Sequence, residues 1–478
     1  MARHASRFLP ALALAVIMAA SANAMFMRPS AAPIDRLIAN TEAYIKEHPK
    51  DASGYYTLAR IHYLAFWMKK DAVAGMEGDG KSLPSLSSDQ MQGGMGGGMR
   101  PPLGGGAVVV PKDLTEEQQI AHAKAADENY RKAIDMDPKN ASYHLGLASL
   151  LEQAASSSAA TVALAGSAEG VKPVADQPDL YKALRSTTYK ERTDAADKLR
   201  AMLPGITPNL VKQMGVETDV EAKKLLANII GDWARMSAMD QYAQAFDLAV
   251  ATDLKITNRP LMGLQTLVSY ESATQYEELS KDLPAASKAD ELTKMQTAKK
   301  QLEGKRMGPV TPVIFSLEKG KTLADLVSPE VTTTFDLDGT SRGWTWNWVK
   351  PDAAILAWDP NHTGKITSGC QLFGNVTFNM LWSDGYRALD ALDDNRDGVL
   401  SGDELHGLVI WYDRNGNGIS DPGEVIPIEQ TGIKSIKVHP DTPTSGDAAR
   451  TPTATNGIVT KSGMALPTWD WIATPRRR

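Results

Sequence analysis

From about Ile34 to Lys305 apolar residues recur at three- and four-residue steps, and strand-like runs begin only after Pro309. The first spacing puts apolar side chains on one face of a helix, whereas short runs rich in β-branched and aromatic residues favour strands. Ala43 to Pro49 and Tyr130 to Pro138 each read as a helix that stops at proline. A second helix follows each, with Tyr55, Leu58, Ala59 and His62 after the first and Leu147, Ala148 and Leu151 after the second. Ala154 to Gly170 is rich in small residues and reads as a link or a loose helix. Further helices are predicted over about 178–203, 218–252, 260–282 and 286–304, the third with an apolar stripe at Leu261, Leu264, Leu267 and Val268. Thr115-x-x-Gln118 and Thr218-x-x-Glu221 have the spacing of capping boxes. Past Pro312, strands are predicted at Val313–Phe315, Val331–Phe335 and Trp348–Val349, with a closing hairpin from Gly457–Thr460 and Leu466–Trp471. The pattern predicts a mainly α chain followed by an α+β module.

The helix pairs around Pro49 and Pro138 resemble tetratricopeptide repeats, whose period is about 34 residues. The two prolines stand 89 positions apart. The excess, about 55 residues over one period, equals an insertion between the two helices of one repeat. Gly75 to Pro111, rich in Gly, Met, Pro and Ser, supplies it and cannot bury a core. Met91, Met95 and Met99 recur there every four residues; thioethers are soft ligands that suit Cu(I), but a flexible loop is the simpler reading. The resemblance implies a superhelical surface that takes a protein or peptide partner. The predicted organisation is a signal peptide at 1–24, a repeat-like helical domain at 25–156 with an insertion at 71–113, a further helical region at 157–306 and an α+β module at 307–478.

Charge narrows the classes. The formal net charge is −6 and the pI about 5.8, which argues against a general nucleic-acid binder. Arg3 and Arg7, the apolar stretch Leu12–Ala20 and Ala22-Asn23-Ala24 have the order of an export signal cleaved near Ala24, so a periplasmic or extracellular location is expected. No later segment has the roughly 18–20 apolar residues needed to span a membrane. Cys370 is the single cysteine, so neither an intramolecular disulfide nor a multi-cysteine zinc site is available.

The most specific chemistry lies in two twelve-residue loops that begin 20 positions apart, Asp393 to Glu404 and Asp413 to Glu424. Each fits the calcium loop of an EF-hand: Asp, then Asp or Asn at the third and fifth positions, Gly at the sixth and Glu at the twelfth. Calcium takes about six to eight oxygen ligands, and alternate positions of such a loop turn inward together. The candidate ligands are Asp393, Asn395, Asp397, the Val399 carbonyl, Ser401 and Glu404, then Asp413, Asn415, Asn417, the Ile419 carbonyl, Asp421 and Glu424. An acidic turn-rich surface would show some of this composition, but not the full pattern twice.

A third, decayed loop runs from Asp359 through Asn361, Thr363 and Gly364 to Cys370 and Gln371, where an acid is wanted. It is expected to fold with little or no calcium. Ile366 and Leu400 hold equivalent positions and are expected to pair as a short two-stranded bridge. Residues 405–412 are expected to leave one loop and lead into the next, with His406 on an exit helix. Phe335-Asp336-Leu337-Asp338-Gly339, Trp348-Val349, Pro351-Asp352, Leu372-Phe373-Gly374, Gly385-Tyr386-x-Ala388-Leu389-x-Ala391-Leu392, Trp411 and Gly432-Ile433-x-Ser435-Ile436 surround these loops in order. Over about 335–437 the chain therefore resembles the calcium-binding modules at the ends of bacterial haemolysin-type secreted proteins. It departs from them at Thr340-Ser341-Arg342, which puts ligation by Asp336 and Asp338 in doubt, and it lacks the nonapeptide glycine repeats of the large toxins.

Trp344, Trp346 and Trp348 alternate, which puts them on one strand face. A core face is the favoured reading and a sugar-stacking row the other. No G-x-S-x-G, H-E-x-x-H, phosphate loop or dinucleotide fingerprint is present, and His62 and His144 read as packing residues. The expected function is non-enzymatic: an exported calcium-binding protein with a helical interaction domain, the ion acting as a structural staple. The alternative is a calcium-dependent adhesion, assembly or carbohydrate-binding module, and an enzyme with an unrecognised site in the helical region is a third class.

Overall fold

The computed structural model describes residues 31–74, 111–166, 172–255, 267–283, 286–302, 310–339, 344–441 and 451–476. The signal pattern, the Met-rich stretch, and Leu261 and Leu264 lie outside these residues.

An all-α half precedes an α+β half. The first half opens with a short strand β1 (Ala31–Pro33) and two helices, α1 (Ile34–Glu47) and α2 (Ala52–Met68). Another pair, α3 (Glu116–Met136) and α4 (Ala141–Ala154), repeats the arrangement. The turns within the two pairs are the same structure. In the first, the His48 N–H reaches the Tyr44 carbonyl and Asp51 N–H reaches His48; in the second, Asp137 reaches Ala133 and Asn140 reaches Asp137. Asp51 and Asn140 then cap the following helices through the N–H groups of Ser53 and Ser142. The Pro-Lys-[Asp/Asn] sequence dictates this, because proline ends one helix and a short polar side chain starts the next. The capping box at Thr115 and Gln118 forms as predicted.

The insertion lies between α2 and α3, where the proline spacing predicts it, and these two helices pack against each other more extensively than the helices of either Pro-linked pair. Its flanks are part of the fold: β2 (Ala72–Ala74) pairs antiparallel with β1, and Lys70 bridges to Asp113. Residues 71–74 and 111–113, predicted within the insertion, therefore have packed or bonded partners.

Beyond α4, Ser158–Ala165 forms a short helix. The helix predicted at 178–203 is two, Pro178–Ala183 and Tyr189–Arg200. They break where the Ser186 hydroxyl takes the Thr188 N–H, local bonding that competes with a helix. Thr207–Val216 adds an unpredicted helix. The 218–252 helix is Val220–Asp253, and its cap is Asp219 rather than Thr218, because the Asp219 carboxylate reaches the Ala222 N–H at 2.8 Å. Val268–Asp282 and Ala289–Leu302 complete the half.

The C-terminal half is built on an eight-stranded antiparallel sheet. Its strands are β3 (Val313–Phe315), β6 (Ala354–Trp358), β7 (Val399–Ser401), β8 (Leu408–Trp411), β9 (Val425–Pro427), β10 (Ile433–Lys437), β11 (Thr453–Thr460) and β12 (Ala465–Asp470). Their order is β7-β10-β11-β12-β3-β6-β8-β9. A smaller sheet joins β4 (Val327–Thr334), β5 (Thr345–Val349) and β13 (Pro475–Arg476). The predicted closing hairpin is β11–β12. The pleat sorts the central strands between two cores: Leu356, Trp358, Leu408 and Ile410 join the core that continues into the helical half, while Ile355, Ala357, Val409 and Trp411 face Trp346 and Trp348 of the small sheet. Burial on both faces explains why Ala354–Trp358 is apolar throughout. Residues 405–412 hold a strand, not an exit helix, and His406 lies between a 3-10 turn and β8. Among the described residues no helix is long and apolar enough to cross a membrane.

His144 fills a packing role, bonding Gln241 and the Pro138 carbonyl. His62 on α2 and His122 on α3 face one another with Nδ1 atoms 2.8 Å apart. Burial, then the neighbouring ring, pushes His62 down to about 4, and burial lowers His122. An unfolded histidine titrates near 6.5, so the unfolded chain takes up protons first. Stability present above pH ~6.5 is therefore lost as pH falls through the folded value. Thermal unfolding at pH 7.5 and pH 5 is expected to show a smaller drop in Tm for His62→Gln than for the native chain; an equal drop would exclude this pair as a source of acid sensitivity.

Candidate metal centre

The two predicted calcium loops fold alike. In the first, the buried Asp393 accepts the Gly398 N–H on Oδ2 at 2.9 Å, across a turn whose Gly398 has φ +86°. Glu404 Oε1 accepts the N–H groups of Asp394 and Asn395 at 2.8 and 3.1 Å, and Oε2 accepts Ser401 N–H at 3.0 Å. Asn395 Oδ1 and Asp397 Oδ1 accept from Asp397 and Val399 N–H. In the second, Asp413 accepts from Gly418 and Asn417, Glu424 from Arg414 and Asp421, and Asn417 from Ile419. Asn415 and Asn417 both donate to Asp421. Gly418, at φ +71°, is obligatory twice over, because a Cβ there would stand 2.7 Å from the Thr334 carbonyl.

In both loops the first Asp and the last Glu are buried, while Asn395, Asp397, Asn415 and Asn417 are exposed. Each loop thus has acidic oxygens at its floor and amide or carboxylate oxygens at an open mouth. Burial raises the Asp393 carboxyl, opposed by the loop N–H groups, and Glu404's charge raises it further. Burial likewise raises Asp413, opposed by Gly418, Trp348 and Asn417. Asp393 Oδ1 is buried and has no hydrogen-bond partner among the described residues. A cation would supply what this oxygen lacks, and the donor set is the hard-oxygen set that calcium takes. Among the described residues, however, no three His, Cys, Asp or Glu side chains converge on one point. The carboxylates instead turn onto backbone N–H groups, and asparagines supply much of the rest, so ligation requires them to swing inward.

The pairing of loops differs from expectation. Leu400 pairs with Ile436 of β10, not with Ile366. Ile366 meets the second loop: its N–H donates to Ser420 Oγ at 2.9 Å, joining the eighth positions of the Asp359 and Asp413 loops. Strand order explains this, because β7 lies at the far edge of the sheet from β8 and β9.

The decayed loop is closed by side-chain hydrogen bonds. Asp359 takes the Thr363 and Gly364 N–H groups, so its turn matches the others. Gln371 replaces the closing acid. Its Oε1 accepts Thr367 N–H at 2.9 Å, as Glu404 accepts Ser401, and its Nε2 donates to the Lys365 carbonyl at 3.0 Å. Lys365 holds the seventh position, whose carbonyl would face an ion in a filled loop. A side-chain amide thus stands where an ion would in a filled loop of this type.

The tryptophan row is a core face. Trp346 and Trp348 are fully buried, and Trp344 is partly so. Trp346 donates to the Phe335 carbonyl, and Trp348 donates to Asp413 Oδ2 at 2.6 Å. Trp348 therefore fixes the first acid of the second loop, a role that motif spacing does not show. A buried indole N–H needs an acceptor, which is the signal that points to it.

Residues 319–466 match the SPM domain family model. The match takes in all three loops and ends within β12, but covers under a third of the chain. Over 94 residues the chain is 35% identical to the iron-regulated protein FrpA of Neisseria meningitidis serogroup C. That alignment spans 19% of this chain and 8% of FrpA, so most of each protein lies outside it.

Replacing Gln371 by Leu strands the Thr367 N–H and the Lys365 carbonyl. The expected cost is about 1–3 kcal/mol, measured by chemical unfolding. With Gln371 standing in the place of an ion, the same loss is expected with chelator present; a loss that vanished with chelator would mean that this loop holds calcium.

Proposed function

We propose that this is an exported, non-enzymatic calcium-binding protein in which the ion staples the C-terminal module, while the helical half offers a surface to a protein or peptide partner. The observation that carries this reading is the duplicated loop geometry. In each loop a buried Asp and a buried Glu, of like charge, flank a Gly turn beneath an open polar mouth. Burying such acids without a counter-charge is costly, and a divalent cation removes the cost. Asp393, Asn395, Asp397, the Val399 carbonyl, Ser401 and Glu404 would hold one ion. Asp413, Asn415, Asn417, the Ile419 carbonyl, Asp421 and Glu424 would hold another.

Placement in the sheet supports a staple. The first loop contains β7, and the second runs directly into β9; these are the two edge strands of the eight-stranded sheet. An ion in each loop would fix both edges. The repeated hairpins support the interaction role, since stacked helix pairs present an extended surface. The export pattern at residues 1–24 supports a location where calcium is plentiful.

Extracellular modules with such loops bind at about 10⁻⁴–10⁻³ M. An ion at about ten times its Kd adds about 1.4 kcal/mol per site. Calorimetric titration of the chain from Met25 is expected to show two ions, and chelator is expected to lower Tm. Glu404→Gln and Glu424→Gln should each remove one ion. Absence of calcium heat, with Tm unmoved by chelator, would leave the loops as turns only.

A further inference from the structure

The first loop differs from the second in what its outward positions touch. Asp394, at the second position, accepts from Arg36 Nε at 2.8 Å and from Asn40 Nδ2 at 2.9 Å. The same two side chains also donate to the Leu392 and Ala391 carbonyls. Arg396, at the fourth position, donates from Nη2 to Glu47 at 3.0 Å and from Nη1 to Asp390 at 2.7 Å. Just before the loop, the Arg387 guanidinium lies 3.3 Å from the centre of the Tyr44 ring. Arg36, Asn40, Tyr44 and Glu47 follow the three- and four-residue steps of one helix face. That face of α1 is thus fitted to this loop across more than 340 residues of sequence. In the second loop the second position is Arg414, which bonds within its own loop to the Gly423 carbonyl, and the fourth is Gly416.

We propose that α1 is the partner of the first calcium loop, so that calcium in this loop and docking of the helical half onto the C-terminal module strengthen one another. The inference rests on the calcium reading above. It follows from the loop's alternation. Inward positions serve the ion, so Asp394 and Arg396 remain outward on α1 whether or not the ion is bound. The Asp394 and Asn395 N–H groups are held by Glu404, the residue that closes the ion's shell, so the ion and the docking contacts share one stretch of backbone. Several of these contacts are partly exposed: the side chains are 51% exposed at Asp394 and 49% at Glu47. Exposed pairs are individually weak. The polar contacts between α1 and the loop therefore respond to whatever orders the loop beneath them. Linkage requires the converse, that a docked α1 tightens calcium binding in this loop.

Titration of the full mature chain separates the loops. In a Glu424→Gln background only the first loop can fill, and Arg36→Ala with Asn40→Ala is expected to weaken its calcium affinity about five-fold or more. Glu47→Gln, a milder surface change, should shift it the same way by less. In a Glu404→Gln background the Arg36 and Asn40 changes should leave the second loop's affinity unaltered, which also shows that the variant folds. Hydrogen exchange of amides 34–47 should slow when calcium fills the first loop. Equal first-loop affinity with and without Arg36 and Asn40, or exchange in 34–47 indifferent to bound calcium, overturns the coupling while leaving calcium binding intact. No calcium heat in the Glu424→Gln parent overturns the calcium reading of this loop and the coupling together.

Discussion

Irregular backbone folded against a protein interior must find partners for its N–H groups, and in the C-terminal half carboxylates supply them. Asp393, Glu404, Asp413 and Glu424 each take N–H groups of turn residues that no strand ladder serves. The neutral Gln371 does part of the same work in the decayed loop. The loops keep their shape for this reason, and the same acids leave concentrated negative charge at the loop floors. The groups that close the loops are therefore the ones a cation would claim.

The sheet depends on the result. Its edges, β7 and β9, are only three residues each. Short edge strands discourage edge-to-edge pairing but contribute few ladder bonds of their own. Loop closure holds them in register. Between the edges, strands buried on both faces join two apolar cores, and the core shared with the helical half makes the two halves one packed body. The ring cluster of Phe335, Trp348, Trp411 and Trp471 fills the other face and carries a polar consequence, because the Trp348 indole ends on Asp413.

The helical half meets the module at the first loop and again at Arg60. This arginine is 2% exposed, and it donates twice to the Asn379 carbonyl. An arginine buried at that depth requires such acceptors. Together with Arg36 and Asn40 it shows that polar side chains of α1 and α2 end on backbone carbonyls of the module. Carbonyls at the ends of short helices and turns have no ladder partner, and these donors serve them.

The change from helix to strand near Pro309, the paired Pro-Lys-[Asp/Asn] turns, the closing hairpin and the loops with their glycines are legible in the residues alone. Each of these is written within a dozen or so neighbouring residues, where proline, capping side chains and left-handed glycines act locally. The sequence did not show that Asp219 rather than Thr218 caps its helix, or that residues 405–412 hold a strand. Nor did it show that Ile366 meets Ser420 while Leu400 meets Ile436, that Trp348 holds Asp413, or that α1 lies on the first loop. Those contacts follow from strand order and from which faces share a core. Both are set by the burial of apolar area across the whole chain, and periodicity along one segment carries no record of what lies opposite it.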